Sequence, residues 1–449
     1  MRLRVIKNID DVVSRQLCSG CGACAYIDPE SIEMVDDLDH GRRPLRKSSS
    51  RNSMLEKEAL NVCPGVGLEH TFERKEASFI QSLTPGWGPV LEVWEGYATD
   101  EAIRFSGSSG GAASAISLAC IEKANMHGVL HIKARADAPI FNETVLSTTR
   151  HEILSATGSR YAPASPCDGL HLIEEAPAAC VFIGKPCDVA AANSAAKLRP
   201  KLKEKLGLTI AFFCAGTPTT NATINLLKRM SIEDPSSVKD LRYRGNGWPG
   251  KATAKYLRNG IIETRSLSYE ESWGEVLTND KQWRCHVCAD HTGEFADIAV
   301  GDPWYLKVKS NDPGRSLIIV RTLKGQRILR EAMEAGYLSL KRVEPSVLPM
   351  SQPNLLRGRG SVWARILVCR LMGVPAPKYR GFAMFRYWWA KLTLQEKVRS
   401  VLGTVKRIIT RGLMSQIRIK PFVHKDAQLP THLQFVSDQY ESEVRAKAA

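Results

Sequence analysis

The sequence predicts an α/β core with a parallel or mixed sheet, preceded by a small cysteine-bearing module and followed by a basic helical tail. Strand, loop and helix patterns alternate between about Val93 and Pro345, clustered cysteines precede them, and basic residues follow them. Such alternation is typical of a parallel sheet with helices on both faces. We therefore expect three regions, over residues 1–82, 83–345 and 346–449, with the turn-rich segment 83–89 as a linker at the first boundary.

Three strand–loop–helix units define the predicted core. The strand VWEGYATD leads through the loop FSGSSGG into the helix former AASAISLACIEKA, and GVLHIKA is the next strand. The apolar run ACVFIG is followed by KPCD and a second helix, and LTIAFFC by AGTP and a third. Each strand is a short apolar run bounded by turn residues, as expected for a buried sheet.

Composition excludes several classes of protein. The chain has 449 residues, of which 43% are hydrophobic and 24% charged, as in ordinary globular proteins. Twelve cysteines are too few for a disulfide-scaffolded secreted module of this length. The start, MRLRVIKNIDDVV, lacks the apolar core of a signal peptide, and no run of 18 uncharged apolar residues predicts a spanning helix. We expect a cytoplasmic protein, where clustered cysteines more often bind metal.

The first cysteine group has the spacing C-x2-C-x2-C, and its fourth member precedes a proline. Its members are Cys18, Cys21, Cys24 and Cys63. Thiolates at this spacing can hold three corners of an iron–sulfur cube, with Gly20 and Gly22 supplying unusual backbone angles. Zinc also takes four cysteines, but usually from two separated C-x2-C pairs. An iron–sulfur cluster is therefore the first interpretation and zinc the alternative.

A second cysteine group is assembled from distant parts of the sequence. Cys187 and Cys214 each follow a predicted buried strand, and the carboxyl ends of parallel strands meet at one sheet edge. Cys285 and Cys288 add a C-x2-C pair, which completes four thiolates for a second 4Fe–4S cluster. The alternative is that Cys187 and Cys214 are buried core thiols. The other four cysteines lack ligand spacing, and core packing is expected of Cys120 and Cys180.

Two clusters would indicate electron transfer, and a flavin commonly joins one-electron to two-electron chemistry. A glycine-rich loop that enters a helix can bind phosphate, and an arginine and a tyrosine follow a flexible turn in GSRYAPAS. The segment RYRGNGWPG is a further candidate loop. Structural turns and surface loops are the alternatives. The candidate nucleotide contacts are Ser106, Gly107, Ser109, Gly110, Gly111, Gly158, Ser159, Arg160, Tyr161 and Lys185.

The C-terminal region holds nearly all of the net charge of +15. Between Arg357 and Lys420 there are fifteen lysines and arginines and one acid, Glu396, so a diffuse nucleic-acid footprint is excluded. The segment LQEKVRSVLGTVKRIITRGL predicts a basic amphipathic helix next to an aromatic stretch, which suits an anionic membrane surface. The alternative is a helix that packs on the core or on a partner subunit. Its apolar positions are Leu394, Val398, Val401, Leu402, Val405, Ile408, Ile409 and Leu413.

Several segments in one order resemble the beta subunit of coenzyme F420-reducing hydrogenase and its relatives. They are CSGCGAC, CPG, FSGSSGGAASA, GSRYAP, FIGKPCD, FFCAGTP, RYRGNGWPG, CHVCAD and ADIAVGDPW. The resemblance runs from about Cys18 to about Leu340, and the relatives include a formate dehydrogenase subunit, 7-hydroxymethyl chlorophyll a reductase and a ferredoxin-dependent divinyl reductase. It implies FAD, a ferredoxin-like module on the first cysteine group and a core cluster on the second. Asp302 matches the pattern without a role, and the basic tail departs from it.

These observations predict an iron–sulfur flavoprotein oxidoreductase. Electrons would pass from a one-electron donor such as ferredoxin through 4Fe–4S clusters to FAD and then to an organic acceptor. One alternative is a non-catalytic electron-transfer beta subunit of a larger hydrogenase or dehydrogenase complex. The other is a zinc-braced binding protein. Peripheral contact with the inner face of the membrane is expected if the basic tail binds lipid.

Overall fold

The structure is a computed structural model that describes residues 5–47, 52–73, 76–309 and 311–422. The part of the predicted tail after residue 422 therefore lies outside the described residues. Along the chain, a cysteine-bearing N-terminal region comes first and a region with a large sheet follows it. A set of C-terminal helices then packs against both regions.

Short helices and a β-hairpin form the described part of the N-terminal region. The strands β1 and β2 pair antiparallel, and Cys63 directly follows the third helix. The segment predicted as a linker instead forms the fourth helix, with Trp87 only 2% exposed. The ferredoxin-like character of this region stays a prediction. The elements are α1 (Ile9–Ser14), α2 (Ala23–Ile27), β1 (Ile32–Asp37), β2 (Gly41–Arg46), α3 (Ser53–Val62), β3 (Gly67–Glu69) and α4 (Thr84–Trp87).

The central region alternates strands and helices, as the sequence predicts. Its elements are β4 (Glu92–Ala98), α5 (Glu101–Ser106), α6 (Ala112–Glu122), β5 (Gly128–Ala134), β6 (Asn142–Ser147), α7 (Arg150–Ser155), α8 (Leu170–Glu175), β7 (Cys180–Gly184), α9 (Pro186–Ala196), α10 (Pro200–Lys205), β8 (Leu206–Phe212), α11 (Thr220–Arg229), β9 (Val238–Arg242), β10 (Ala252–Arg258), β11 (Ile261–Leu267), α12 (Trp283–His286), β12 (Ile298–Gly301), β13 (Ser316–Val320), α13 (Leu323–Glu334) and β14 (Leu338–Arg342).

Within the described residues, eight strands form one mixed sheet in the order β14-β4-β13-β12-β8-β7-β5-β6. The four strands β12, β8, β7 and β5 run parallel, and the flanking strands pair antiparallel. This confirms the α/β class with a mixed sheet. The strands β9, β10 and β11 form a separate antiparallel sheet.

Both faces of the large sheet are buried. Along β13, Leu317 and Ile319 pack in one apolar cluster, whereas Ile318 and Val320 pack in another. Successive strand residues point to opposite faces, so this division places a separate apolar layer on each side. Helix α6 and helix α13 contribute to the second layer, through residues such as Ile116 and Leu329.

The C-terminal region packs against the rest of the protein. The strand β15 pairs parallel with β3, with Lys378 opposite Gly67. The carboxylate of Glu294 is paired with Arg359 and lies 2.7 Å from His70 Nε2, and all three side chains are buried. The predicted boundaries at 82/83 and 345/346 therefore fall inside shared packing. The elements are α14 (Val347–Ser351), α15 (Leu355–Leu371), β15 (Lys378–Arg380), α16 (Met384–Lys391) and α17 (Leu394–Thr410).

The amphipathic helix α17 packs one part of its apolar face against the core and exposes the other part. Val401, Val405 and Ile408 pack against the main apolar cluster. The positions with large exposed fractions are Leu394 (79%), Val398 (47%), Leu402 (62%) and Ile409 (61%). Packing therefore buries about half of the apolar face that the sequence predicts, and the other half is exposed. None of the helices in the described part of the chain is long and apolar enough to cross a membrane.

Candidate metal centres

The first cysteine group surrounds a single cavity. Cys18, Cys21, Cys24 and Cys63 line it together with apolar side chains of α1 and with Pro44. The glycines between the cysteines adopt positive φ angles, +75° at Gly20 and +90° at Gly22, as predicted. A Cβ on either glycine would lie within 2.8 Å of backbone atoms, so both positions require glycine. The end of α3 thus brings the distant Cys63 to the three thiols of the loop.

Burial dominates the electrostatics of this first group. It raises the pKa of Cys63 to about 12 and that of Cys24 well above its ordinary value. The pKa of Cys21 is lowered instead, mainly through its side-chain contact with Cys167. Neutral thiols this deeply buried must release protons to bind metal, so metal binding and deprotonation are coupled here.

The second cysteine group surrounds a neighbouring cavity. Cys187 lies in the first turn of α9 after β7, and Cys214 follows β8. Since Gly184 of β7 pairs with Ala211 of β8, both cysteines leave the sheet at the same edge. The helix α12 and the residues after it supply the other two thiols. The cavity is lined by Cys187, Cys214, Cys285 and Cys288, with Ser19, Arg284, Asp290 and His291.

Charged groups surround the second group of thiols. Lys185 Nζ lies 2.7 Å from Asp188 Oδ2, and this pair is next to Cys187. Burial opposes the charge of Lys185, but Asp188 and the adjacent thiols outweigh it, so its pKa is raised. Burial raises the pKa of Cys214 to about 12. The backbone N–H of Thr217 donates to Cys285 Sγ at 3.2 Å, the kind of contact that stabilises a bound thiolate.

The two groups are close to each other. Ser19 lines both cavities. Cys167, which has no ligand spacing in the sequence, lies between them: its thiol contacts Cys21 and donates to the Asp188 carbonyl at 3.2 Å. The buried guanidinium of Arg43 is close to Cys18. Sequence patterns missed these residues because they reach the site from separate elements.

The sulfur atoms of each group are spread more widely than the ligands of one zinc ion. Tetrahedral zinc with bonds of about 2.3 Å holds its four sulfurs about 3.8 Å apart. Among the described residues, three possible ligand atoms lie within 4.8 Å of one another only at Asp37, Asp39 and His40. In every trio of sulfurs from these groups, at least one pair is therefore farther apart than 4.8 Å.

Three glycine-rich segments also meet, beyond the cysteines. The backbone N–H of Ser159 donates to Ser108 Oγ at 2.5 Å, which joins the segment 106–111 to the segment 158–161. Arg242, the first residue of the third segment, donates from Nη1 to the Ser106 carbonyl at 2.8 Å and so joins the third segment to the first. Gly111 has a φ of +72° and begins α6. The structure thus brings the predicted nucleotide-binding segments together.

Comparison with known proteins identifies the family. The family model described as coenzyme F420 hydrogenase/dehydrogenase, beta subunit N-term matches residues 93–170. The corresponding C-terminus model matches residues 178–346, and the two together cover more than half of the chain.

The chain belongs to the coenzyme F420 hydrogenase/dehydrogenase beta subunit family.

Its curated relatives include two beta subunits. It is 25% identical over 292 residues to coenzyme F420 hydrogenase subunit beta of Methanococcus voltae, covering 62% of this chain and 95% of the relative. It is 27% identical over 264 residues to F420-dependent formate dehydrogenase 1 subunit beta of Methanococcus maripaludis, covering 57% and 63%. In the solved F420-reducing [NiFe] hydrogenase complex of Methanosarcina barkeri, one chain is 22% identical with a TM-score of 0.48, covering 63% of this chain and 94% of that one.

The part of the chain that defines the family contains the second cysteine group and the glycine-rich segments. The first cysteine group precedes the matched residues, and α15 to α17 follow them. Arg365 in α15 nevertheless donates to the His286 carbonyl at 2.7 Å, within the loop that carries Cys285 and Cys288. The C-terminal region therefore covers the cysteines of the family core.

Two predicted nucleotide contacts have other partners in this family member. Arg160 Nε donates to Asn142 Oδ1 at 2.7 Å, and its Nη atoms donate to the carbonyls of Leu241, Pro139 and Phe141. A guanidinium held in this way braces β6 against β9 rather than presenting its donors to a phosphate. Lys185 is bound by Asp188 beside the second cysteine group, as described above.

Asp302, which had no role in the sequence analysis, anchors an arginine beside the glycine-rich segments. It accepts two hydrogen bonds from Arg244, at 2.9 and 2.8 Å, and one from Trp248 Nε1 at 2.8 Å. Arg244 also donates to the hydroxyl of Tyr161, whose ring lies 4.5 Å from that of Trp273. The candidate nucleotide contact Tyr161 is thus held against other aromatic side chains.

Proposed function

We propose that this chain is the electron-transfer beta subunit of a larger oxidoreductase complex and that it carries two 4Fe–4S clusters. The observation that carries the proposal is the pair of cysteine groups, each around its own cavity and both lined by Ser19. Relatives are named as subunits of hydrogenases and dehydrogenases, which favours this alternative over the self-contained reductase that the sequence put first.

The residues that hold the clusters are the four thiols of each group. Clusters of this kind exchange single electrons at potentials set by charge, hydrogen bonds and exposure. The chain supplies backbone donors at Gly20 and Thr217, which lie 3.3 and 3.2 Å from the sulfurs of Cys18 and Cys285. It also supplies the buried cations Arg43 and Arg284. These groups offset the negative charge that two clusters would place in a buried site.

FAD is the second cofactor of the proposal, at the junction of the three glycine-rich segments. A flavin links one-electron to two-electron carriers, which an electron-transfer subunit with an organic acceptor requires. The start of α6 at Gly111 suits a phosphate, and the aromatic side chains at Tyr161 suit a ring system. Arg160 and Lys185 are left out of this site, because protein groups already bind them.

Another redox subunit of the complex is the proposed one-electron partner, and peripheral contact with an anionic membrane is a further proposal. The exposed residues Leu394, Val398, Leu402 and Ile409 form one stripe on α17. Beside them, Trp389 on α16 is 67% exposed, and Lys397 Nζ lies 4.9 Å from its ring. Apolar, aromatic and basic side chains on one surface suit a lipid headgroup region.

The test of the clusters is anaerobic purification of the full chain, with iron, zinc and flavin measured in the same sample. We expect about eight irons per chain, since each 4Fe–4S cluster contributes four. Cys21→Ala and Cys288→Ala should each retain about four, because each removes one ligand from a different group.

The matched control is Cys120→Ala, a fully buried thiol in α6 that belongs to neither group. It should retain the full iron content. Zinc in place of iron would support the zinc-braced alternative, and equal iron content in all three variants would reject the assigned ligands.

A further inference from the structure

Arg284 lies between the two cysteine groups. It precedes Cys285 in the second group and lines the second cavity. Its Nη2 donates to the carbonyl of Pro64 at 2.7 Å, and Pro64 follows Cys63 of the first group. The guanidinium is also close enough to interact electrostatically with Cys18 of the first group and with Cys187 and Cys288 of the second. One side chain therefore reaches both groups.

The guanidinium of Arg284 has donors without acceptors. The side chain is 2% exposed, and neither Nε nor Nη1 has a hydrogen-bond partner among the described residues. The nearby carboxylate of Asp290 accepts from the backbone N–H groups of Thr292, Gly293 and Glu294. Buried donors without partners are costly, so an acceptor that the polypeptide does not provide is expected beside Nε and Nη1.

The charge of Arg284 is also without a carboxylate partner. In the described part of the chain, no ion pair joins this guanidinium to an aspartate or glutamate, and it faces the ring of Tyr379 at 5.8 Å. An arginine keeps its proton in proteins, so the fold buries a permanent cation. Such a charge is tolerated when anions lie close by. Once metal has displaced their protons, the thiolates of the two cysteine groups are the anions within reach.

We propose that Arg284 is a counter-charge shared by the two clusters, with its free N–H groups donating to sulfur atoms at the second. The inference rests on the proposed function, because it needs both clusters. A fixed cation stabilises the reduced form of a cluster more than the oxidised form, since reduction adds negative charge. Arg284 therefore raises the reduction potential of both clusters.

The experiment is an anaerobic redox titration of the holoprotein, followed by the electron paramagnetic resonance signals of the two reduced clusters. Arg284→Gln removes the charge and keeps a donor of similar length. We expect both midpoint potentials to fall, with the reduced fraction at a fixed potential decreasing on the order of tenfold for each cluster. Arg284→Lys keeps the charge and should restore most of the shift.

Two controls separate this role from a structural one. Arg150→Gln removes another arginine, which is paired with the carboxylates of Glu122 and Asp100 and lines neither cysteine cavity. It should leave both potentials unchanged. Iron content is measured in every sample, and a wild-type protein without iron would reject the proposed function itself rather than the role of Arg284.

The remaining outcomes of the titration are as follows for the role of Arg284. With full iron retained, unchanged potentials in Arg284→Gln overturn it, and a fall at one cluster alone overturns the shared role. If Arg284→Gln loses iron, Arg284→Met decides instead: it also removes the charge, so with iron retained both potentials should fall, and unchanged potentials overturn the proposal. Iron loss in Arg284→Lys as well, although the charge is kept, would assign Arg284 to folding and overturn the proposal.

Discussion

Cys167 illustrates how neighbours define the role of a single residue in this protein. The sequence around Cys167 contains no ligand spacing. Its sulfur nevertheless contacts Cys21, and its S–H group donates a hydrogen bond to the Asp188 carbonyl. Its side-chain contact with Cys21 lowers the pKa of that thiol, whereas burial raises the pKa of Cys24 and Cys63. Of these three thiols, Cys21 is therefore the easiest to ionise when metal binds.

His131 carries a prediction about the pH dependence of stability. This residue of β5 is buried, its Nε2 lies 2.8 Å from Ser147 Oγ, and burial lowers its pKa below 6.5. A lowered histidine pKa stabilises the fold above pH 6.5, and this contribution is lost as the pH falls below that value. Thermal unfolding at several pH values should therefore show a steeper acid loss of stability in the wild type than in His131→Gln.

At pH 7.5 the same substitution should itself cost roughly 1 kcal/mol of unfolding free energy, the value of one lost hydrogen bond. The control is His151→Gln, at an exposed position of α7, which should follow the wild-type pH profile. Parallel acid profiles for the wild type and His131→Gln would contradict the assignment.

At the scale of elements, the C-terminal helices pack against the main apolar cluster and still expose an apolar surface. Helix α17 starts with a capping box in which Thr393 and Glu396 satisfy each other's backbone N–H groups. It then uses Val401, Val405 and Ile408 for packing. The exposed stripe that begins at Leu394 is consequently narrower than the apolar face of an unpacked helix, and basic residues border it.

Vesicle binding tests whether this stripe contacts a membrane. The double substitution Leu394→Gln with Leu402→Gln removes two exposed side chains, each worth about 1.5–3 kcal/mol when fully buried. We expect the wild type to sediment with vesicles rich in phosphatidylglycerol and the variant to do so at least about tenfold more weakly. Neutral phosphatidylcholine vesicles should bind neither protein strongly, because the basic residues need an anionic surface.

The matched control for the vesicles lies on another element. Ile261 and Ile262 of β11 are 68% and 54% exposed, and the double change of both to Gln should not alter binding. Equal binding by both double variants would show that the stripe does not contact lipid, and no binding by the wild type would leave a protein partner as the occupant of the stripe.

At the scale of the whole molecule, one apolar cluster joins all three predicted regions. It includes Val12 and Ala59 from the N-terminal region, Phe182 from the sheet, and Val368 and Ile408 from the C-terminal helices. The two cysteine groups lie within this continuous packing, so their separation is fixed by the core rather than by a mobile linker. Fixed separation is what electron transfer between the groups would require.

Copurification tests the assignment as a subunit. A tagged full-length chain, recovered anaerobically from its native cells, should bring with it the catalytic subunit of a hydrogenase or dehydrogenase. The isolated chain should not reduce an organic acceptor with reduced ferredoxin as donor, and turnover should return when the two subunits are recombined. Sustained turnover by the isolated chain would instead support the self-contained reductase.

Local signals account for the parts of the site that the sequence could predict. Gly20 and Gly22 have the positive φ angles that the C-x2-C-x2-C spacing requires, and the strands before Cys187 and Cys214 are adjacent and parallel. Those features depend on short-range patterns and on the rule for parallel strands. The hydrogen-bond partners of Arg160, at Asn142 and Leu241, could not be predicted, because glycine-rich surroundings are compatible both with a phosphate contact and with a structural brace.

The sequence by itself determined the α/β class, the alternation of strands and helices in the core, the two sets of candidate ligands and the basic character of the C-terminal region. These follow from hydrophobic periodicity, residue spacing and composition, which are local properties. Only the tertiary structure decided that the basic region covers the second cysteine group, that Cys167 and Arg284 lie between the two groups, and that half of the apolar face of α17 is buried. The physical reason is that burial and charge pairing depend on residues far apart in the chain, as Arg359 and Glu294 show, and no local pattern encodes which of them meet.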